Sequence, residues 1–159
     1  MAGNETYWGW SGFSFPASSG GAPSTSALTL LYTGTAGENL TAGDVVRLST
    51  DNATAGQVFR AQANATDYEA FGAVKTTALS GASVDIYVAG PAPTKFSAAP
   101  AAVDNGKIVY LSATIACATT TAPTAAPTAD IRLGRLVGAN GVSTTPNVLW
   151  NAQTPALLL

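Results

Sequence analysis

The sequence Gly43-Asp44-Val45-Val46-Arg47-Leu48-Ser49 returns 63 residues later as Gly106-Lys107-Ile108-Val109-Tyr110-Leu111-Ser112. Four of the seven positions are identical. In both copies a glycine-containing turn signal leads into a run rich in β-branched residues, which is typical of a β-strand. We therefore predict that the two copies are equivalent strands in two similar halves of one β domain.

Alternation along these strands predicts which side chains face the core. The inward set is Val46 and Leu48 in the first copy, and Val109 and Leu111 in the second. The outward set is Val45 and Arg47, and Ile108 and Tyr110.

The repeat extends beyond these seven residues. Residues 70–74 align with residues 132–136 at an offset of 62, and residues 84–89 align with residues 147–152 at an offset of 63. The second alignment places Ile86 over Leu149 and Tyr87 over Trp150. It therefore predicts that Tyr87, Tyr110 and Trp150 all point outward.

Composition divides the chain into three regions. Residues 1–27 form an aromatic arm and a linker rich in Gly, Ser and Pro, residues 28–152 carry the strand patterns, and residues 153–159 form a tail. The internal duplication covers about 38–90 and 101–152. We predict an all-β fold, a small β-barrel or sandwich built from two similar halves, with an extended N-terminal arm.

The chain lacks most of the residues that catalysis requires. It has no histidine, one cysteine and 10% charged residues, with a net charge of −2. Asp44, which follows Gly43, and the run Asp104-Asn105-Gly106 are predicted to form turns, and Cys117 is predicted to be buried. We predict no enzyme activity, no cofactor and no metal site, and no nucleic-acid or membrane partner.

Five aromatic residues crowd the arm, and they are the predicted partner-binding residues. Burying all five would remove about 750–1,250 Å² from water, so we do not expect them to stay exposed on a free protein. They either fold back on the chain's own barrel or dock on another subunit, and we favour docking. The residues are Tyr7, Trp8, Trp10, Phe13 and Phe15.

Short motifs along the body also suggest a family. The run from Asn39 to Val46, then Phe71-Gly72-Ala73-Val74, Val88-Ala89-Gly90 and the run from Asn105 to Tyr110 resemble the small capsid decoration proteins of tailed bacteriophages. These are also called head-stabilisation or cement proteins. The resemblance covers roughly residues 38–152.

The resemblance implies a homotrimeric virion protein without an active site, made in the host cytoplasm. It would sit on the outer capsid surface and bridge neighbouring subunits of the major capsid protein, with residues 1–27 reaching the shell. The alternative is a receptor- or carbohydrate-binding module of a phage fibre, spike or tail. In that case Tyr87, Tyr110 and Trp150 would form an outward aromatic platform, with Arg47 and Asp85 as its polar residues.

Overall fold

A computed structural model describes residues 29–63, 69–122 and 131–151. In these residues nine strands form one mixed sheet, and a 3₁₀ turn at Ala102–Asp104 accompanies them. The all-β prediction is confirmed. The strands are β1 Leu30–Ala36, β2 Val45–Leu48, β3 Gln57–Arg60, β4 Gly72–Val74, β5 Ser83–Pro93, β6 Ile108–Leu111, β7 Ala118–Thr119, β8 Arg132–Leu136 and β9 Asn147–Trp150.

The first five strands close into a ring, which we call the first ring. Its order is β1-β3-β2-β4-β5, and β5 pairs back onto β1. The β1–β3 pairing is parallel and the others are antiparallel. Closure through Thr35 and Ala36, which pair with Gln57 and Val58, protects backbone hydrogen-bonding groups that an open sheet edge would expose there.

The second half repeats this arrangement, and we call it the second ring. The C-terminal part of β5 pairs with β9, followed by β8, β6 and β7. A parallel bridge between Phe96 and Ala118 connects β7 back to the chain just after β5. This bridge is the counterpart of the parallel pair Ala36 and Val58 in the first ring, because both members are displaced by 60 residues.

The 11-residue strand β5 belongs to both rings. Its N-terminal part pairs with β1 and β4, and Gly90 to Pro93 pair with β9. Pro91 and Pro93 have no N–H to donate, while Thr94 donates its N–H to the Pro146 carbonyl at 3.0 Å. The prolines are tolerated because they occupy alternate positions that need no donor toward β9.

The repeated strands have equivalent backbone pairing partners in each ring. Val45 pairs with Ala73 in the first ring, and Ile108 pairs with Arg135 in the second, at offsets of 63 and 62. This agreement in register extends the sequence repeat to backbone pairing. The residue ranges of the two halves remain a prediction.

The glycine that opens each repeated strand has the same role in both halves. Gly43 and Gly106 have φ of +88° and +87°, a conformation that glycine adopts without steric cost. Gly43 donates its N–H to the Val74 carbonyl at 2.8 Å, and Gly106 donates to the Leu136 carbonyl at 2.7 Å. The predicted glycine turns are confirmed.

The predicted alignment of the last strand was wrong by one residue. Ala73 pairs with Tyr87 in the first ring, whereas its counterpart Arg135 pairs with Leu149, not Trp150. The structural offset is therefore 62 throughout β8 and β9. A one-residue shift reverses the faces of a strand, so Trp150 points inward and Leu149 points outward.

The described residues form two hydrophobic cores. The first core lies inside the first ring and consists of Ala36, Leu40, Val46, Val58, Val74, Ala78, Val84, Ile86 and Val88. The second core combines inward residues of the second ring, such as Val109, Leu111 and Trp150, with Val45 and Ala73 of the first ring.

The inward set of the repeated strands is confirmed. Val46, Val109 and Leu111 are fully buried, and Leu48 packs half-buried against the first core. Val45 lies on the outer face of β2, where the outward set was predicted, yet it is not exposed to solvent. Val45 is 0% exposed because the outer face of β2 packs in the second core.

Candidate interaction surface

An open groove of about 510 Å³ lies on the outside of the second ring, across β6, β8 and β9. Its lining mixes apolar and basic side chains, and Leu149 is 46% exposed. Such a groove offers both apolar area and positive charge to a partner. The lining includes Ile108, Arg132, Gly134, Arg135, Leu149 and Trp150.

We define the outer face of the second ring as Ile108, Arg135 and Leu149. Because the rings share one register, each of these residues has a counterpart on the outer face of the first ring: Val45, Ala73 and Tyr87. The counterparts are covered. Val45 and Ala73 are fully buried, and Tyr87 packs half-buried against the second core.

The cover over the first ring comes from the second ring. Val45 donates its N–H to the Ala116 carbonyl at 2.9 Å, and Ala116 donates its N–H to the Ala61 carbonyl at 2.8 Å. Lys95 Nζ also reaches the buried Asp44 Oδ1 at 3.0 Å. Among the described residues, the outer face of the first ring is therefore an internal interface, whereas that of the second ring is open.

The turn predicted at Asp44 is confirmed. Asp44 donates its backbone N–H to the Thr41 carbonyl at 3.0 Å, and Thr41 donates its N–H to Asp44 Oδ2 at 2.9 Å. Together with the Lys95 contact, these bonds occupy both carboxylate oxygens of Asp44. Asp44 thus holds the two rings together.

The predicted aromatic platform does not form. Trp150 is 5% exposed and belongs to the second core, where its Nε1–H donates to Thr94 Oγ1 at 2.9 Å. Tyr87 and Tyr110 are each half-buried. The inward turn of Trp150 follows from the one-residue shift in β9, and the carbohydrate-binding alternative loses the surface on which it was based.

The five predicted partner-binding residues Tyr7, Trp8, Trp10, Phe13 and Phe15 lie outside the described residues, as does the tail 153–159. The described chain begins with Thr29, and β1 opens with two leucines that remain accessible. Leu30 is 58% exposed and Leu31 is 42% exposed. The place where the arm joins the barrel is thus itself apolar.

Cys117 is buried, as predicted, and burial raises the pKa of its thiol. Within residues 29–63, 69–122 and 131–151, no group of three or more Asp, Glu, Cys or His side chains is arranged to hold a metal ion. The same part of the chain contains no helix long and apolar enough to cross a membrane.

One ion pair ties the β1–β2 loop to the end of β3. Glu38 accepts hydrogen bonds from the Arg60 backbone N–H at 2.7 Å, from Nε at 3.0 Å and from Nη2 at 2.6 Å. Partial burial by itself raises the pKa of Glu38, but the Arg60 hydrogen bonds and the nearby positive charges outweigh it. The net effect lowers the pKa of Glu38 below its ordinary value of 4.5.

Replacing this carboxylate is expected to change acid stability. Because the folded-state pKa is lowered, ionised Glu38 stabilises the protein above the ordinary pKa of 4.5, and the benefit is lost as pH falls through the folded value. Glu38→Gln should cost about 1 kcal/mol at pH 7, a value reduced for solvent screening. Urea unfolding measured from pH 7 to pH 3 should show the gap to the wild type closing. A gap between Glu38→Gln and the wild type that stayed constant from pH 7 to pH 3 would contradict the assignment.

No protein-family model matches the chain, and no curated protein matches it significantly.

Sequence reasoning missed the exposed pair Arg135 and Leu149. The signal was present in the repeat: extending the offset of 62 from β8 into β9 places Arg135 over Ala73 and Leu149 over Tyr87. A charged residue that replaces alanine at an equivalent outer position indicates a difference in exposure between the two halves.

Proposed function

We propose that this chain is a virion structural protein that binds the outer surface of a phage capsid and cements the lattice of the major capsid protein. We further propose that it acts as a homotrimer. The alternative, a module of a fibre, spike or tail, shares the β fold but would not bind the capsid lattice.

Two observations support this proposal. The motif residues that carry the family resemblance build the fold, since Gly43 forms the turn before β2 and Asp44 joins the two rings. The observation that carries the proposal is the open outer face of the second ring, which combines Leu149 and Arg135 and gives the chain a surface for assembly with other subunits, including copies of itself. A surface of this composition suits protein–protein contact.

Cementing is proposed to work by adding buried area between neighbouring capsid subunits. Each copy would bring its barrel as a rigid body and its aromatic arm as an anchor. Five buried aromatic side chains would contribute a gross hydrophobic gain of about 19–31 kcal/mol at ~25 cal/mol per Å². Ordering the arm and losing association entropy would consume much of that gain.

Deleting residues 1–15 is expected to abolish capsid binding and to leave a folded body. Co-sedimentation of the full chain and the shortened chain with purified capsids that lack this protein would measure the effect. We expect saturable binding for the full chain and binding at background level for the shortened one.

A matched control keeps the arm length but removes its apolar area, by changing Tyr7, Trp8, Trp10, Phe13 and Phe15 to serine. It should fail to bind like the deletion. If the shortened chain bound as tightly as the full chain, the anchoring role of the arm would be wrong. If neither bound any capsid, the proposed function would be wrong.

A further inference from the structure

The contact between the two rings joins two different surfaces. The outer face of the first ring covers one end of the second ring, where Ala92, Leu111 and Leu133 are at most 2% exposed. Backbone bonds fix this end in place, since Ala63 donates its N–H to the Ser112 carbonyl at 2.9 Å. In the inter-ring contact, the outer face of one ring therefore packs on the end of the other ring.

The same end of the first ring is not fully covered. In the first ring, the residues equivalent to Ala92, Leu111 and Leu133 are Tyr32, Leu48 and Phe71, respectively, at offsets of 60, 63 and 62.

All three counterparts are only half-buried. Tyr32 and Phe71 meet edge to face at 5.1 Å between ring centroids. We call Tyr32, Leu48 and Phe71 the open end of the first ring. The internal contact uses the outer face of the first ring and the end of the second ring. The equivalent pair of surfaces, the outer face of the second ring and the open end of the first ring, is not used within one molecule.

The two open surfaces carry opposite charges that their counterparts in the internal contact lack: positive on the outer face of the second ring and negative near the open end of the first ring. On the face, Arg135 stands where the covered ring has Ala73. Near the open end along the chain, exposed Asp51 follows Leu48 by three residues and stands where the second ring has Thr114, and exposed Glu69 precedes Phe71 by two. Opposite charges on the two surfaces favour contact between them and would not help two identical faces to meet.

We propose that the outer face of the second ring binds the open end of the first ring of a second copy, so that copies associate head to tail. A contact between two different surfaces is heterologous, and it closes into a ring of copies when its rotation allows. This inference deepens the self-association in the proposed function and rests on it. It names Leu149 and Arg135 on one side and Leu48 and Tyr32 on the other.

The test measures the mass of the full chain in solution without capsids, by sedimentation over a range of concentrations. Leu149→Asp places a charge in the face without touching either core, since Leu149 is 46% exposed. We expect it to raise the dissociation constant of self-association by about 30-fold or more. Val142→Asp is the matched control, because Val142 is 83% exposed and lies outside the groove lining. It should leave the mass unchanged.

A mixing experiment distinguishes head-to-tail contact from face-to-face contact. Leu48→Lys should block the open end, and a lysine at a half-buried position can extend its amine to water. Tyr32→Thr is a second variant of the same end, for use if the first does not fold. Leu149→Asp and an end variant should each be monomeric alone, and their equimolar mixture should form a dimer and nothing larger.

Three results would overturn the inference. They are a monomeric full chain at every soluble concentration, an unchanged oligomer for Leu149→Asp, and no dimer on mixing. If the full chain were monomeric and deletion of residues 1–28 produced an oligomer, the arm would be the occupant of the open end. The test is separate from capsid binding: an intact oligomer that binds no capsid would refute the proposed function alone.

Discussion

Gly134→Ala is expected to destabilise the protein by about 3 kcal/mol or more. A Cβ at this position would collide with the carbonyl oxygen of Leu149, and would lie 2.9 Å from the carbonyl carbon of Leu149 and 3.1 Å from Trp150 Cα. These are backbone atoms of the neighbouring strand, so no side-chain rotation relieves the contact. Thermal unfolding should show a midpoint lower by about 6–12 °C for a domain of this size.

The first ring provides a matched test at Gly72, the counterpart of Gly134. A Cβ on Gly72 would collide with the Tyr87 carbonyl oxygen, and Gly72→Ala should therefore cause a loss of similar size. Gly56→Ala is the control, because its Cβ would meet nothing within 4 Å and only its φ of +78° resists alanine. That substitution should cost about 1–2 kcal/mol. Equal losses at Gly56 and Gly134 would contradict the close approach of β8 and β9.

Trp150→Ala is expected to cost about 3–5 kcal/mol, which is typical when a buried aromatic side chain is removed from a core. Trp150 is 5% exposed, and its indole N–H bonds to the fully buried Thr94 hydroxyl. Urea unfolding should record the loss as a lower midpoint. Trp150→Phe keeps most of the volume but removes the donor, and should cost about 1 kcal/mol for the lost hydrogen bond, with a smaller part for the lost volume.

Leu149→Ala is the companion measurement on the same strand. Leu149 points outward and is 46% exposed, so its truncation should cost less than about 1 kcal/mol. The ratio of the two losses reports the register of β9. If Leu149→Ala were as damaging as Trp150→Ala, the faces of the strand would be the reverse of those described.

Much of the fold could be predicted from the sequence, because local signals agreed with it. Gly43 and Gly106 marked turns that require positive φ, and alternation in the second repeated strand placed Val109 and Leu111 in the core. Both signals, the turn glycine and the alternation of side chains, lie within one strand and its adjoining turn. Short-range chemistry therefore suffices to predict them.

The face of β9 could not be predicted in the same way. Val148, Leu149 and Trp150 are three consecutive apolar residues, and alternation does not choose between two faces when both are apolar. The close approach at Gly134 fixes the choice, because it pairs that glycine with Trp150.

The outer face of the second ring could not be predicted from the sequence for a different reason. Whether an outward residue is exposed depends on what the rest of the chain places over it. Val45 and Ile108 occupy equivalent positions, yet only Val45 is fully buried, because the Ala116 turn reaches it. No pattern within one strand encodes that difference.

The thermal stability of capsids tests the proposed cementing function most directly. Purified capsids that lack this protein would be heated alone, with a saturating amount of the full chain, and with the chain lacking residues 1–15. The temperature at which the shell opens would be followed by dye access to the packaged DNA. Cementing predicts a higher opening temperature with the full chain and no change with the shortened chain. An unchanged opening temperature on capsids saturated with the full chain would contradict it.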